Sequence, residues 1–321
     1  MKKVIVFGGG TGLSCLLSGL KLFPVEVTTV ITVSDNGSST GVLKQEFDIP
    51  AVGDVGKVLL AMANADDDLV NLLSYRFHRE GSSLDNHPVR NILLTALIDL
   101  KGSLTEATRY MSQLLNINGV VLPLTEEKVE LVGRSEDSDE EFFGEESVSQ
   151  NVRYISSLSY DHDIRIGNAV KRAIRESDLI IFSPGSLYTS ILPHLIVDDI
   201  VETIREARAP ILYVSNLVTQ PGETDHYDVS DHLAVLNRYL KGRRVDIVVG
   251  NNAYIDPVIV SRYLESENKT LVALDREKIE TQGCRIIEDD IFSIDAEGRI
   301  RHNALKTAFL IFSYLMESDK A

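Results

Sequence analysis

The residues best suited to chemistry lie at turns that follow short β-branched runs. After KVIVF (3–7) comes GGGTG, which supplies Gly9, Gly10, Thr11 and Gly12. At such a turn backbone N–H groups and a helix N-terminus can hold a phosphate against the helix dipole, and a Cβ would block the approach. The spacing is not the dinucleotide GxGxxG, because position 13 is leucine, and the lysine of a P-loop is missing. A tight βα turn without a ligand accounts for the same glycines.

A second turn follows EVTTVITV (26–33) and carries Ser34, Asp35 and Asn36 ahead of Gly37, Ser38 and Ser39. An acidic side chain there can bond a ribose diol or hold a metal, and an Asx-turn with a capping serine explains it equally well. SPGSLYTS (183–190) brings Pro184, Gly185 and Ser186 to a third strand end, and VSNLVTQPGETD (214–225) brings Asn216, Thr219, Glu223 and Thr224 to a fourth. Near the C-terminus, GRIRHNALK (298–306) places Arg299, Arg301 and His302 before a helix that Asn303 can cap. His87, followed by Pro88, reads as a turn residue at a helix start sooner than as a general base. No GxSxG, HExxH or cysteine pair at ligand spacing occurs, so nucleophilic and zinc chemistry have no candidate.

The elements that position these turns alternate between strands and helices, the pattern of a mainly parallel sheet covered on both faces. The expected strands are 3–7, 26–33, 120–123, 179–183, 210–216, 246–250, 270–274 and 285–287. SDNGSSTG reads as a loop, and the chain turns helical from Asp54 to Leu100 and again over 104–115, 168–176, 198–207, 230–240, 257–265 and 304–316. Residues 119–160 read as an edge subdomain or excursion on a single domain spanning 1–321. The predicted class is α/β: a Rossmann-like three-layer α/β/α fold with a small inserted or appended lobe.

Composition bounds the function. The 321 residues include 32 basic and 48 acidic side chains, a net charge of −16, and 44% are hydrophobic. That is a globular chain that repels phosphate backbones, so nucleic acid is excluded as a partner. Two cysteines without CxxC spacing fit a reducing, cytoplasmic compartment. The charge-free stretches near the N-terminus and over 179–197 are broken by glycine, proline and histidine, which argues against membrane insertion. Ser135 to Glu146 holds seven carboxylates and no basic residue. Charge repulsion predicts that it points away from the strand ends and is dispensable for a phosphate ligand. The state of oligomerisation, including a homo-oligomer, stays open.

GGGTGLS, TVSDNGSSTG, IPAVGD, SPGSLYTSILPHL and SNLVTQPGETDHYDVSDHL, in that order, resemble the YvcK-type gluconeogenesis-factor family within the CofD-like superfamily of 2-phospho-L-lactate transferases. The resemblance implies a Rossmann-like fold, cytoplasmic location, binding of a nucleotide or nucleotide-sugar, and a role in cell shape and envelope growth on gluconeogenic carbon sources. The transferase branch joins a phospholactyl group to a deazaflavin alcohol, using a metal and an aspartate pair after the second strand. Here the second place of that pair is Asn36, although Asp54 can supply another carboxylate. The family's GDIRN-like pattern stands as Gly53-Asp54-Val55-Gly56-Lys57, and its HSxGN-like pattern as His87-Pro88-Val89-Arg90-Asn91. Arginine and glycine have left their expected places, and Lys57 and Arg90 can each restore a cation for phosphate.

The expected ligand is a nucleotide-containing small molecule, a UDP-sugar or NAD, held by Gly9 to Gly12, Ser34 to Asn36, Asp54, Lys57, Asn91, Pro184 to Ser186, Asn216, Thr219 and Arg301. One Asp with an Asn favours binding and regulation with little or no catalysis. The alternative is a magnesium-dependent transferase of a phospholactyl or related group. An NAD-dependent oxidoreductase is disfavoured by the missing GxGxxG.

Overall fold

The computed structural model describes residues 1–135 and 140–317. Seven strands form one parallel sheet: β1 (Lys2–Gly8), β2 (Val25–Ile31), β3 (Val120–Pro123), β7 (Leu179–Phe182), β8 (Ile211–Val214), β9 (Ile247–Asn251) and β10 (Arg285–Asp289). Between β3 and β7 a lobe contributes an antiparallel sheet of β4 (Leu131–Arg134), β5 (Glu141–Phe143) and β6 (Ser157–Tyr160), and the chain ends with the hairpin β11 (Phe292–Ile294) and β12 (Ile300–His302) before its last helix. The spatial order β10-β9-β8-β7-β1-β2-β3 reverses direction between β1 and β7. In open parallel sheets this switch point is where a crevice opens at the carboxyl ends of the strands.

The central strands are unbroken apolar runs because both of their faces are covered: Val4 to Phe7 and Leu179 to Phe182 are all 1% exposed or less. Helices α1 (Gly10–Leu20), α2 (Ser38–Glu46), α3 (Gly53–Met62), α4 (Asp67–Ser74), α5 (Val89–Lys101) and α6 (Leu104–Leu114) precede the lobe, which carries α7 (Glu145–Asn151). Then come α8 (Asn168–Glu176), α9 (Leu192–Leu195), α10 (Asp198–Glu206), α11 (Val229–Tyr239), α12 (Pro257–Glu267), α13 (Arg276–Thr281) and α14 (Ala304–Glu317). On one face α1 packs between α3 and α14, and on the other α8 lies beside α10. One hydrophobic cluster runs from Val4 to Leu315 and takes in Leu131 and Leu158 of the lobe.

The alternating pattern and the parallel sheet agree with the sequence reading, with local differences. SDNGSSTG is a loop only as far as Gly37, since α2 begins at Ser38. Residues 270–274 form no strand; Leu271 makes a single bridge to Val218. The helix expected from Ser186 opens as a π turn over Leu187–Ile191. Its start is held by the Ser186 hydroxyl, which accepts from the Thr189 N–H at 3.0 Å.

Candidate functional site

A cleft of about 790 Å³ lies over the carboxyl ends of the central strands, at the switch point. Its floor is the β1–α1 turn. Gly10 takes a left-handed φ of +64°, and at Gly12 a Cβ would stand 2.1 Å from the Pro184 carbonyl oxygen. The turns after β1 and β7 therefore touch backbone to backbone, which only glycine allows.

Asn216 fixes the second of these turns. Its Nδ2 donates to the Gly185 carbonyl at 2.8 Å, while its Oδ1 accepts from the Gly185 N–H at 2.9 Å. Ser186 donates to Glu223 Oε1 at 2.5 Å. Burial pushes the Glu223 carboxyl up to about 7, against the pull of its bonds from Ser186 and Ser149. Glu223 thus joins the β7 turn to α7 of the lobe.

The β2 side of the cleft is acidic. Asp35 Oδ1 accepts from the Gly37 N–H at 2.9 Å, and burial, then Asp54, hold its carboxyl above the usual carboxylate range. Glu145, the first residue of α7, is pushed up to about 8 by burial, then by Asp35 and Asp54. The β8 side carries two cations, Arg301 of β12 and Lys269, the latter paired to Glu267 at 2.5 Å. Arg301 is steered by Asp295, 3.4 Å from its Nε. His302 beside it is half-buried at the cleft wall, bonds the Ser215 carbonyl at 2.9 Å, and is lowered by desolvation to about 4, so it is a neutral prop.

Of the residues singled out from sequence, Gly9 to Gly12, Asp35, Asn36, Pro184 to Ser186, Asn216, Thr219 and Arg301 line this cleft. Ser34, Asp54, Lys57 and Asn91 do not. Asp54 stands just behind the wall, with Oδ2 2.9 Å from where a Cβ of Gly9 would be. Lys57 spends its charge on Asp54 at 2.8 Å. Asn91 is buried and bonds Ser39, whose hydroxyl also meets His87 Nδ1 at 2.8 Å, so His87 looks into the helix layer and not into the cleft.

The expectation that 135–146 points away from the strand ends is overturned over its second half. Glu145 and Glu146 line the cleft, and Gly144 packs against Asn36. Repulsion gave the wrong answer because Lys44, itself 1% exposed, bonds the Val129 carbonyl at 2.6 Å and Glu130 at 2.7 Å and draws the lobe onto α2. Residues 136–139 of that stretch lie outside the described residues. The sequence reading also missed Ser149, Gln150, Thr189 and Lys269 as wall residues. The glycine followed by two glutamates is a helix-start signature that could have flagged α7.

The family model for "2-phospho-L-lactate transferase CofD" matches residues 4–292. The chain belongs to the CofD family. Within it, the chain is 37% identical over 317 residues to the gluconeogenesis factor of Bacillus subtilis, covering 98% of each protein. It is also 37% identical over 308 residues to the gluconeogenesis factor of Halalkalibacterium halodurans, covering 96% of this chain and 94% of that one. The crystal structure of a UPF0052-family protein from Bacillus halodurans superposes with a TM-score of 0.91 at 37% identity, over 97% of this chain and 99% of that chain. These likenesses establish the gluconeogenesis-factor branch and the Rossmann-like fold. Magnesium, which the transferase branch implies, fits these residues poorly. Asp54 is engaged by Lys57 at 2.8 Å, and Asn36 turns toward the lobe to accept from the Glu146 N–H at 3.4 Å. Among the described residues no trio of His, Cys, Asp and Glu is placed to share a metal ion.

Proposed function

We propose that this CofD-family chain binds a nucleotide-sugar or dinucleotide in the cleft and acts as a regulatory binding protein of the gluconeogenesis-factor type. The observation that carries the reading is the order of charge along the sheet: carboxylates after β2, glycine amides after β1, and Lys269 and Arg301 beyond β8. A diphosphate over the β1–α1 turn would meet helix N–H groups, with Arg301 and Lys269 adding charge-assisted bonds on one side. Sugar or ribose hydroxyls would donate to Asp35 and Glu145 on the other. The cleft volume lies within the range of small-molecule sites. Both cysteines are free thiols, which supports a cytoplasmic setting.

Thermal shift and calorimetry against UDP-sugars, NAD and GDP test the reading. A true ligand at a hundred times its dissociation constant adds about 2.7 kcal/mol of stability. Arg301→Gln should then weaken binding about tenfold or more while leaving the unliganded midpoint nearly unchanged. No response to any of the three classes would refute the proposal. A titration that collapses in chelator would instead favour a metal-dependent transferase of a phospholactyl or related group.

A further inference from the structure

The last helix is apolar on its outer side as well as its inner one. Between Lys306 and Glu317, α14 carries no charged residue. Its inner stripe of Thr307, Ala308, Ile311 and Leu315 is 1% exposed or less, and the helix packs on α1 and β9. Leu305, Phe309, Phe312 and Met316 recur at spacings of four, three and four, which puts them on a second stripe turned toward solvent. Leu305 and Phe309 are each 55% exposed and Met316 36%, while Phe312 is half-buried. The apolar surface continues onto the α1–β2 turn. There Leu22 is 64% exposed, and the Phe23 ring lies 5.2 Å from that of Phe312 and 6.4 Å from that of Phe309.

A helix that is apolar on nearly every side belongs in an interior. The bare parts of Leu22, Leu305, Phe309 and Met316 leave on the order of 400 Å² of apolar surface in water, which matches the apolar share of the ~800 Å² that each partner buries in a standard interface. Charge selects the occupant. A chain of net charge −16 repels its own copies over much of its surface, but the rim of this patch is balanced: Lys306 pairs with Asp290 at 2.8 Å, and Glu317 lies 4.0 Å from Arg285. Lys306 and Glu317 stand three helical turns apart, so they flank the stripe on the same side, about 17 Å from each other along the axis. A two-fold axis that lays a second α14 antiparallel on the first brings each Lys306 to the Glu317 of the other copy. The same operation sets Leu305 opposite Met316 and Phe309 opposite Phe312, and it opposes the two helix dipoles. The stripe is therefore complementary to itself in charge and in side-chain order, as an isologous contact requires.

We infer that the outer face of α14 is the contact through which two copies of this chain form a two-fold dimer, with the two helices antiparallel. The contact shares no residue with the cleft and does not rest on the cleft's ligand. Sedimentation velocity and light scattering on the full chain, over a micromolar range of concentration, test it. The parent should be a dimer. Phe309→Asp should be a monomer with an unchanged circular-dichroism spectrum, because it adds a charge where two copies meet and where a lone chain is open to water. Leu305→Asp, one turn away on the same stripe, takes its place if Phe309→Asp loses its fold. Lys306→Glu and Glu317→Lys should each weaken the dimer about tenfold, because either change sets like charges together twice across the two-fold axis. Both changes in one chain should restore the affinity to within about twofold of the parent. Only an antiparallel second copy gives that rescue. A monomeric parent, a dimer that survives the folded Asp variant, or single reversals that the double variant fails to rescue overturns the inference.

Discussion

Glu145→Gln should make the protein more stable, and only above the acidic range. The carboxyl of Glu145 sits at about 8 because burial and the nearby Asp35 and Asp54 disfavour its charge, whereas the ordinary value is 4.5. Between those limits the unfolded chain has released a proton that the folded chain still holds. Stability therefore falls as pH rises from about 4.5 to about 8. From 4.5 to pH 7 the interval corresponds to roughly 3.4 kcal/mol at ~1.36 kcal/mol per pH unit. The side chain faces the cleft and is partly open to water, which leaves about 2 kcal/mol after screening. Glutamine has the same length and no such penalty.

The size of the thermal response follows from the chain length. With about 2.1 cal/mol/K of unfolding entropy per residue, a 321-residue chain should shift by roughly 3 °C for that gain. Thermal unfolding of both proteins at pH 5.0 and pH 7.5 reads the effect. The variant should lead at pH 7.5 and nearly coincide with the parent at pH 5.0. An equal difference at both values, or a less stable variant at pH 7.5, would refute the electrostatic account of this wall.

Gly12→Ala should cost about 2 kcal/mol and abolish ligand binding, because its Cβ would stand 2.1 Å from the Pro184 carbonyl oxygen and push the two turns apart; urea unfolding and calorimetry check both halves. Asn216→Ala removes both bonds to Gly185, at 2.8 and 2.9 Å, and should destabilise by about 2 kcal/mol. Faster hydrogen exchange at the Gly185 amide is the specific sign, and an unchanged rate would count against the clamp.

The sheet was legible where both faces are buried, because a strand such as Leu179–Phe182 then has no polar position to blur it. Helix α8 matches its expected bounds, since its charged and apolar residues alternate at helical spacing. Helix α2 was hidden because Ser38 to Gly41 carry turn chemistry, and its later residues include Lys44, whose burial depends on Glu130 in the distant lobe. Non-local pairing also explains the missed wall residues. Lys269 reaches the cleft because the segment just after it closes on Thr219, with the Thr219 N–H bonding the Thr270 carbonyl at 2.8 Å. No local pattern encodes that return. The glycine turns were readable because close approach leaves a mark in residue type, but their chemistry was ambiguous for the same reason, since Asn216 and Ser186 prove to be props for the turn as well as parts of its wall.

The acidic wall raises a further question of why a fold would keep it. Asp35 and Glu145 both stand above their ordinary values, so each weakens the unliganded protein at neutral pH, and Lys57, paired to Asp54, relieves only part of the repulsion. A purely structural wall would be better served by amides, which hold the same bonds without charge. Carboxylates are the better choice if hydroxyl groups arrive, because each ionised oxygen accepts a stronger bond than an amide does. On the proposed reading, a sugar or ribose hydroxyl donating to Glu145 favours its ionised form, and the same contact fixes α7 against the cleft. Binding would then expel a proton near pH 7 and firm the lobe in one event, which couples occupancy of the cleft to the surface that α7 presents.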